Sequence, residues 1–172
     1  SDIAIEAFVN DYLAKRPAQA MRLDSLDDAF CAQDKVVAGL TPHFGAVIGW
    51  KIGLTAKPVQ AMFGATEPVR GRIFARTILP DGSTIPVRFG AVPVWEADLL
   101  ATVKSTDINK ATTPEAIAAA LSSITPFIEL ADLALAKDEP LNAMTITAIN
   151  VGARFGIGGK PIAANDPAAL AA

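Results

Sequence analysis

The chain contains a single cysteine and a single histidine among its 172 residues. One cysteine excludes an internal disulfide and any zinc site built from several cysteines. Cys31 lies in a helical pattern and is expected to be a small core residue. His43 lies in LTPHFG, whose proline and glycine are typical of a loop, so we expect a surface or capping role for it. No G-x-S-x-G motif is present, which argues against hydrolysis by a serine triad.

Strong charge and long apolar runs are also missing. The formal net charge is -3, and no Lys/Arg-rich patch is interleaved with aromatic residues, so we predict no nucleic-acid partner. No apolar run reaches the roughly 18 residues that span a bilayer, so we predict no membrane span. The sequence starts at Ser1 without a basic and then apolar leader. We therefore expect a cytoplasmic protein, or one whose signal peptide has been removed.

The composition is that of a packed protein with a hydrophobic interior. Hydrophobic residues make up 51% of the chain and charged residues 19%, and 172 residues suffice for one domain. We predict a single domain over 1–172, with a helical layer in 1–42 and a β-rich catalytic core in 43–172. Helical periodicity comes first and strand-like segments follow, which favours an α+β fold over strict alternation.

Several elements can be assigned from periodicity, caps and turns. Helices are predicted at 3–16, at 25–40 with Ser25 as N-cap, at 55–64 with Thr55 as N-cap, and at 112–124 with Thr113 as N-cap. Strands are predicted at 45–54, 84–89, 94–104, 126–135 and 143–159. Residues 163–172 read as the beginning of a further helix, so we expect the core to be incomplete at its C-terminal end.

Two acids stand within the apolar segment PVWEADLLATV, residues 93–103. Side chains alternate between the two faces of a strand, so Glu96 and Asp98 point the same way, about 7 Å apart. The opposite face is entirely apolar and is predicted to be a core face. Its members are Trp95, Ala97, Leu99, Ala101 and Val103. Trp50 is likewise expected in the core.

A third acid, Glu129, is isolated among apolar residues in PFIELADLAL. Three carboxylates in apolar surroundings need a shared counter-charge, because like charges raise each other's pKa. Oxygen ligands without cysteine or histidine favour Mg²⁺, Mn²⁺ or Ca²⁺, and Lys51 in GWKIG can complete such a site. The alternatives are a solvated strand face, or acids paired individually with arginines. Asp132 is equally compatible with a surface position at a strand end and with the site.

Three segments in this order resemble a known family: GWKIGLTAKPVQAMFGATEP, VWEADLL and PFIELADL. They are similar to the 2-keto-4-pentenoate hydratase / 4-oxalocrotonate decarboxylase branch of the fumarylacetoacetate hydrolase superfamily. The resemblance extends from the second helix to about Pro161. It implies a mixed β-roll core with helices packed outside, a homo-oligomer, and Mg²⁺ or Mn²⁺ as cofactor.

The resemblance also assigns roles by position. Glu96, Asp98 and Glu129 correspond to the three metal-ligating acids, and Lys51 corresponds to the active-site lysine. The remaining positions, implied to bind substrate, are Gly53, Leu54 and Asn150. The implied activity is hydration by a lyase of a small 2-oxo acid or 2-hydroxy-2,4-dienoate through a metal-stabilised enolate. Decarboxylation, acylpyruvate-type C–C hydrolysis, and non-catalytic binding of a metal and an organic acid are the alternatives.

The chain departs from the family where proton-transfer groups are expected. Val69 replaces the acid of the P-D-F-G segment. In the stretch corresponding to D-N-A-S-S-G, the acid and the hydroxyls are replaced by Ile149, Gly152 and Ala153. The metal ligands are therefore better supported than the general acid or base, and the substrate is left open.

Overall fold

Two helices open the chain in the computed structural model, which describes residues 1–165. They are α1, Asp2–Leu13, and α2, Leu26–Phe44. Ser25 caps α2 as predicted, because its Oγ accepts a hydrogen bond of 3.1 Å from the amide of Asp28. The first helix ends three residues earlier than predicted. Arg16 precedes a proline, which disfavours the helical conformation there, and Lys15 already has a φ of 56°.

Two sheets follow the helices. The strands β1, Val47–Gly53, and β2, Val69–Phe74, form an antiparallel pair, with helix α3, Lys57–Phe63, in the connection between them. The larger sheet contains β3, Ile78–Leu79; β4, Pro93–Val103; β5, Leu121–Asp132; β6, Phe155–Gly158; and β7, Ile162–Ala163. Its order is β3-β6-β5-β4, with β7 pairing β5. Only the β3–β6 pairing is parallel among these described strands, so the sheet is mixed.

The remaining elements are short and helical. Helix α4, Pro114–Ala120, precedes β5, and helix α5, Ala143–Ala148, follows it. Two 3₁₀ helices cover Thr106–Lys110 and Asn150–Gly152. As predicted, Thr113 caps α4, since its Oγ1 accepts from the amide of Ala116 at 3.2 Å. Within residues 1–165, no helix is both long and apolar enough to cross a bilayer.

The hydrophobic core lies where the two N-terminal helices meet α5 and β2. Its most deeply buried large members are Phe8, Tyr12, Val36, Leu40, Phe74 and Ile149. The phenol of Tyr12 also donates a 2.8 Å hydrogen bond to the carbonyl of Ala153, which ties α1 to the segment before β6. The predicted α+β architecture, with a mixed sheet and N-terminal helices packed outside, is confirmed.

Two predicted strands and one predicted N-cap are wrong, and the helix predicted at 112–124 ends at Ala120, directly before β5. Residues 143–148 form α5 instead of a strand, because Asn142 and Thr145 form a reciprocal capping box that begins a helix despite the β-branched composition. Residues 84–89 form no strand, and Pro86 has no amide hydrogen to donate to one. The N-cap of α3 is Ala56 and not Thr55, and no side-chain hydrogen bond caps that helix.

The apolar face of β4 is exposed in the described part of the chain, so the prediction that it forms a core face is wrong there. Trp95 is 73% exposed, Leu99 65% and Val103 52%. Glu96 and Asp98 share the opposite face of β4, on the side of Glu129, so strand alternation turns these apolar residues the other way. Trp50, on β1, is also exposed. Cys31 is exposed on α2 and is not a core residue.

Candidate metal and substrate site

The pairing of β4 with β5 brings the three predicted acids onto one face of the sheet. Glu96 lies directly opposite Glu129, and Asp98 lies opposite Phe127. Residues directly opposite in an antiparallel pair project from the same face, with Cβ atoms about 5 Å apart, and diagonal neighbours lie about 7–8 Å apart. Glu129 is therefore the cross-strand neighbour of Glu96 and the diagonal neighbour of Asp98. Three carboxylates converge on this face.

Lys51 reaches the same face from the other sheet. Strand alternation in β1 turns Trp50 and Ile52 outward, and the side chain of Lys51 points inward. Its Nζ donates a hydrogen bond to Oε1 of Glu129. The two side chains are only 11% and 6% exposed, so the ion pair is largely shielded from water. The contact joins the sequence motif GWKIG to the motif PFIEL.

Glu129 has a perturbed acidity. Burial raises the pKa of its carboxyl above the ordinary value, while the charge and the hydrogen bond of Lys51 act in the opposite direction. The negative charges of Glu96 and Asp98 raise this pKa further. The carboxylates are thus close enough to repel, and one lysine does not fully offset burial and repulsion. A further positive charge would stabilise the ionised form.

A cavity of about 280 Å³ opens beside this cluster. Lys51, Asp98 and Glu129 line it together with Arg154, and apolar walls come from residues that include Phe127 and Phe155. This size is at the small end of ligand pockets and fits a compact molecule. The other predicted site residues, namely Glu96, Gly53, Leu54 and Asn150, are not among the residues that line it.

The acids do not form a closed ligand set in the described structure. Glu96 and Asp98 have exposed side chains, and Oδ1 of Asp98 accepts from the amide of Leu99 at 2.7 Å. Within residues 1–165, no three His, Cys, Asp or Glu side chains are placed to hold a metal ion together. The backbone nevertheless places three hard oxygen donors on one face, a donor set that suits Mg²⁺ or Mn²⁺.

Gly53 ends β1, and Leu54 follows it in a constrained backbone conformation. A Cβ on Gly53 would lie 2.5 Å from Cγ1 of Val151, so this contact requires glycine. Leu54 has a φ of 56°, an uncommon conformation for a residue other than glycine that costs roughly 1 kcal/mol or more. Nε2 of Gln60 donates to its carbonyl at 2.8 Å and holds it in place. Their role in substrate binding stays a prediction.

Asn150 is buried and fully engaged with the backbone of β2. Its Oδ1 accepts from the amide of Arg72 at 2.6 Å, and its Nδ2 donates to the carbonyl of Arg72 at 3.0 Å. Asn150 and Val151 both have positive φ, 59° and 56°, and these side-chain bonds stabilise that conformation. The geometry gives Asn150 a structural function, and its contact with substrate stays a prediction.

A buried ion pair that was not predicted from the sequence lies beside the cavity. Nη1 of Arg154 donates to Oδ2 of Asp132 at 2.9 Å and to the carbonyl of Tyr12 at 3.0 Å. Asp132 is 0% exposed, so it does not occupy a surface position. Its partner is Arg154, so it does not belong to the acidic cluster either. It also accepts from the amides of Ala91, Val92 and Ala134. The arginine of INVGAR, at a position where the resembling family has glycine, is the sequence feature that could have indicated this ion pair.

His43 takes no part in the site. It is exposed in the last turn of α2, so the predicted surface position is confirmed. The helix continues through Pro42 to Phe44 instead of ending in a loop.

Comparison with known proteins supports the fold. No protein-family model matches the chain. A solved structure of 4-oxalocrotonate decarboxylase from Pseudomonas putida G7, complexed with magnesium and adipate, superposes with a TM-score of 0.81 at 19% identity, covering 94% of this chain and 63% of that chain. A second structure of that enzyme, complexed with calcium and acetate, gives a TM-score of 0.75 at 18% identity, covering 94% and 62%.

The chain therefore has the fold of 4-oxalocrotonate decarboxylase, over less than two thirds of that enzyme's length. The family resemblance stated from the sequence motifs is confirmed at the level of the fold. At identities of 19% and 18%, the comparison supports a shared fold and does not by itself support a shared activity.

Proposed function

We propose that this chain carries the site of a divalent-metal-dependent lyase that hydrates a small 2-oxo acid or its 2-hydroxy-2,4-dienoate form. The observation that carries the proposal is the convergence of Glu96, Asp98 and Glu129 on one sheet face, with Lys51 bonded to the buried member. The fold agrees, since the structural neighbour is an enzyme solved with magnesium and a small organic acid.

In this proposal, Glu96, Asp98 and Glu129 hold Mg²⁺ or Mn²⁺. Glu96 and Asp98 would turn toward the cation from their exposed positions, and Glu129, the buried acid beside Lys51, would supply the third ligand. A bound dication supplies Lewis-acid stabilisation of negative charge on the substrate oxygens. The raised pKa of Glu129 fits this role, because the cation removes the repulsion that disfavours its ionised form.

Lys51 acts on the substrate from the wall of the cavity. Its Nζ, positioned by Oε1 of Glu129, holds the substrate carboxylate by a charge-assisted hydrogen bond or transfers a proton to the substrate carbon. The rings of Phe127 and Phe155 line the cavity. They limit the access of water and strengthen the electrostatic interactions within it.

Two alternatives have specific support. Decarboxylation of a 2-oxo acid is favoured by the structural neighbours, which are decarboxylase structures. Non-catalytic binding of a metal and an organic acid is favoured by the positions where proton-transfer groups are missing. Val69 is a core residue, 2% exposed, and Ala153 contributes no titratable group to the cavity wall. An acylpyruvate-type C–C hydrolase has no such support, since His43 is not among the residues that line the cavity.

Proton exchange at C3 of a 2-oxo acid, followed by NMR in D₂O, tests the proposal and separates it from pure binding. An enzyme that forms the enolate exchanges the C3 protons in the presence of Mg²⁺ and much more slowly with chelator. Glu129→Gln abolishes the Mg²⁺-dependent exchange, and Glu115→Gln, an exposed acid on α4, leaves it unchanged. Exchange that does not depend on Mg²⁺ or on Glu129 contradicts the proposal. Release of CO₂ in the same samples would identify a decarboxylase.

A further inference from the structure

We propose that the open edge of β4 pairs antiparallel with β4 of a second copy of this chain, and that this pairing releases Asp98 for metal binding. The metal site is then incomplete in a single copy, and assembly and cation affinity are linked. This inference rests on the proposed function and names the surface through which a second copy completes the site.

β4 ends the larger sheet in the described part of the chain. Within residues 1–165, β5 is the only strand that pairs with it. β4 has 11 residues, about twice the usual length of a strand, and most of them are exposed. A long, exposed and largely apolar edge strand is a template for pairing with a strand of another chain.

The backbone of Leu99 is directed toward this open edge. Leu99 lies opposite Pro126, whose carbonyl accepts a 2.9 Å hydrogen bond from the amide of Gly159 on the other side of β5. Leu99 and Pro126 therefore form a non-hydrogen-bonded pair, and the amide and carbonyl of Leu99 point away from β5. The Leu99 amide donates instead to Oδ1 of Asp98 at 2.7 Å. One of the candidate metal ligands thus satisfies an edge amide.

This hydrogen bond restricts Asp98. It holds the carboxylate beside the edge of its own strand, and within the described residues Asp98 forms no metal-binding group with Glu96 and Glu129. In a β4–β4 pair, a carbonyl of the second copy accepts from the Leu99 amide in place of Asp98. Asp98 is then free to bind a cation without leaving that amide unpaired.

The charges on β4 determine which register a second copy can adopt. Pairing centred on Asp98, the midpoint of the strand, sets Asp98 opposite Asp98 of the second copy, and like charges directly opposite each other are destabilising. Moving the centre to Leu99 shifts the register by two residues, which keeps every side chain on its own face. Glu96 then lies opposite Thr102. Asp98 lies opposite Leu100, so no two acids are opposed.

The apolar face of β4 is self-complementary in the same register. Trp95 lies opposite Val103 of the second copy, an aromatic and β-branched pair of the kind that stabilises sheets. Ala97 lies opposite Ala101, and Leu99 lies opposite itself. This row contains no charged residue, and pairing over residues 95–103 forms roughly ten backbone hydrogen bonds. A second copy of the chain therefore fits this edge.

Sedimentation velocity and Mn²⁺ titration over a range of protein concentrations test this inference. We expect a reversible dimer whose Mn²⁺ affinity is at least about tenfold higher than that of the monomer, the factor for one hydrogen bond to a charged group that no longer opposes cation binding. Because linkage is reciprocal, saturating Mn²⁺ should lower the dissociation constant of the dimer, and chelator should raise it.

Two substitutions of Leu99 separate pairing from the release of Asp98. Leu99→Pro removes the amide hydrogen at an edge position that tolerates proline, so we expect a monomer with the Mn²⁺ affinity of the wild-type dimer at every protein concentration. Leu99→Lys keeps the amide and sets two positive charges opposite each other at the centre of the pair. We expect it to be a monomer with the low affinity of the wild-type monomer.

Ile128→Lys is the matched control. Ile128 is 48% exposed on the same apolar face, but it lies on β5, one strand away from the edge. We expect this variant to retain the dimer and its linkage to Mn²⁺. Loss of the dimer in Ile128→Lys would mean that the two copies meet through their apolar faces and not through the edge of β4, which contradicts the inference.

Other results would also overturn it. These are a wild-type monomer at all concentrations in saturating Mn²⁺, a dimer with the Mn²⁺ affinity of the monomer, and a dimer that survives Leu99→Pro. A monomer whose Leu99 amide is protected from hydrogen exchange would show that a different segment pairs with β4, and would refute pairing with a second copy.

The outcomes distinguish this inference from the proposed function. Mn²⁺ binding that requires Glu129 but does not change with protein concentration supports the proposed function and refutes the linkage through Asp98. Absence of Mn²⁺ binding both by the wild-type protein at every concentration and by Leu99→Pro refutes the proposed function and the inference with it.

Discussion

Replacing Lys51 with methionine isolates the electrostatic cost of the acidic cluster. The substitution keeps most of the aliphatic volume and removes the ammonium bonded to Glu129. Both side chains are nearly buried, 11% and 6% exposed, and breaking a buried pair by removing one partner costs about 3–5 kcal/mol. Uptake of a proton by Glu129 limits this cost, so we expect about 3 kcal/mol at pH 8 in the absence of metal.

The loss should depend on pH in a defined direction. Burial and the charges of Glu96 and Asp98 raise the pKa of Glu129, and Lys51 opposes them. Without Lys51 the pKa of Glu129 in the folded state rises further. An acid whose folded-state pKa is raised contributes stability that is present below the ordinary carboxyl pKa and lost as the pH rises through the raised value. The variant should therefore approach the wild-type stability at pH 4–5 and fall below it at pH 8.

Urea unfolding at pH 5 and pH 8, with and without Mg²⁺, measures this effect. At pH 8, Mg²⁺ should restore part of the lost stability, because the cation supplies the missing counter-charge and binds the folded state. Lys137→Met, at an exposed lysine, should change the free energy of unfolding by no more than about 0.5 kcal/mol at either pH. If Lys51→Met changed the free energy of unfolding equally at both pH values, or by no more than Lys137→Met does, the acidic cluster would not depend on the charge of Lys51.

Three further predictions concern the surroundings of the site. Tyr12→Phe loses the hydrogen bond to the Ala153 carbonyl and about 1 kcal/mol. Burial raises the pKa of Tyr12, so the free energy of unfolding of the wild-type protein should fall as the pH rises above about 10. Urea unfolding at pH 9–11 should show a smaller fall in the variant. Gly53→Ala should cost about 1–3 kcal/mol in thermal unfolding, through its clash with Val151; an unchanged Tm would contradict this. Protons compete with Mn²⁺ for Glu129, whose pKa is raised. The Mn²⁺ affinity measured by calorimetry should therefore begin to fall at a higher pH than it does for a site of ordinary carboxylates. An affinity that does not change with pH would contradict this.

Local patterns in the sequence predicted the presence of helices α1 to α4 and the shared face of Glu96 and Asp98. Ser25 and Thr113 cap their helices as their positions before apolar periodic segments indicated. The shared orientation of Glu96 and Asp98 followed from the two-residue period of a strand. The approach of Glu129 and Lys51 could not be derived from periodicity, since it depends on pairing across 78 residues of sequence. The family resemblance supplied it.

The errors have two physical origins, an overlooked local cap and interactions between residues distant in the sequence. Residues 143–148 are rich in β-branched side chains, yet the capping box at Asn142 begins a helix. Apolar composition predicted that Trp95 would be buried, although nothing in residues 1–165 covers it. The burial of Asp132 depends on Arg154, 22 residues away, and a single isolated arginine gives no periodic signal. The homo-oligomer and the division into 1–42 and 43–172 stay predictions.

Anomalous diffraction from crystals grown with Mn²⁺ would show whether the three carboxylates share one cation. We expect one strong anomalous peak about 2.1 Å from carboxylate oxygens of Glu96, Asp98 and Glu129, and loss of that peak in Glu129→Gln. A fully occupied Mn²⁺ bound elsewhere in the chain, or three carboxylates that stay apart at saturating Mn²⁺, would contradict it.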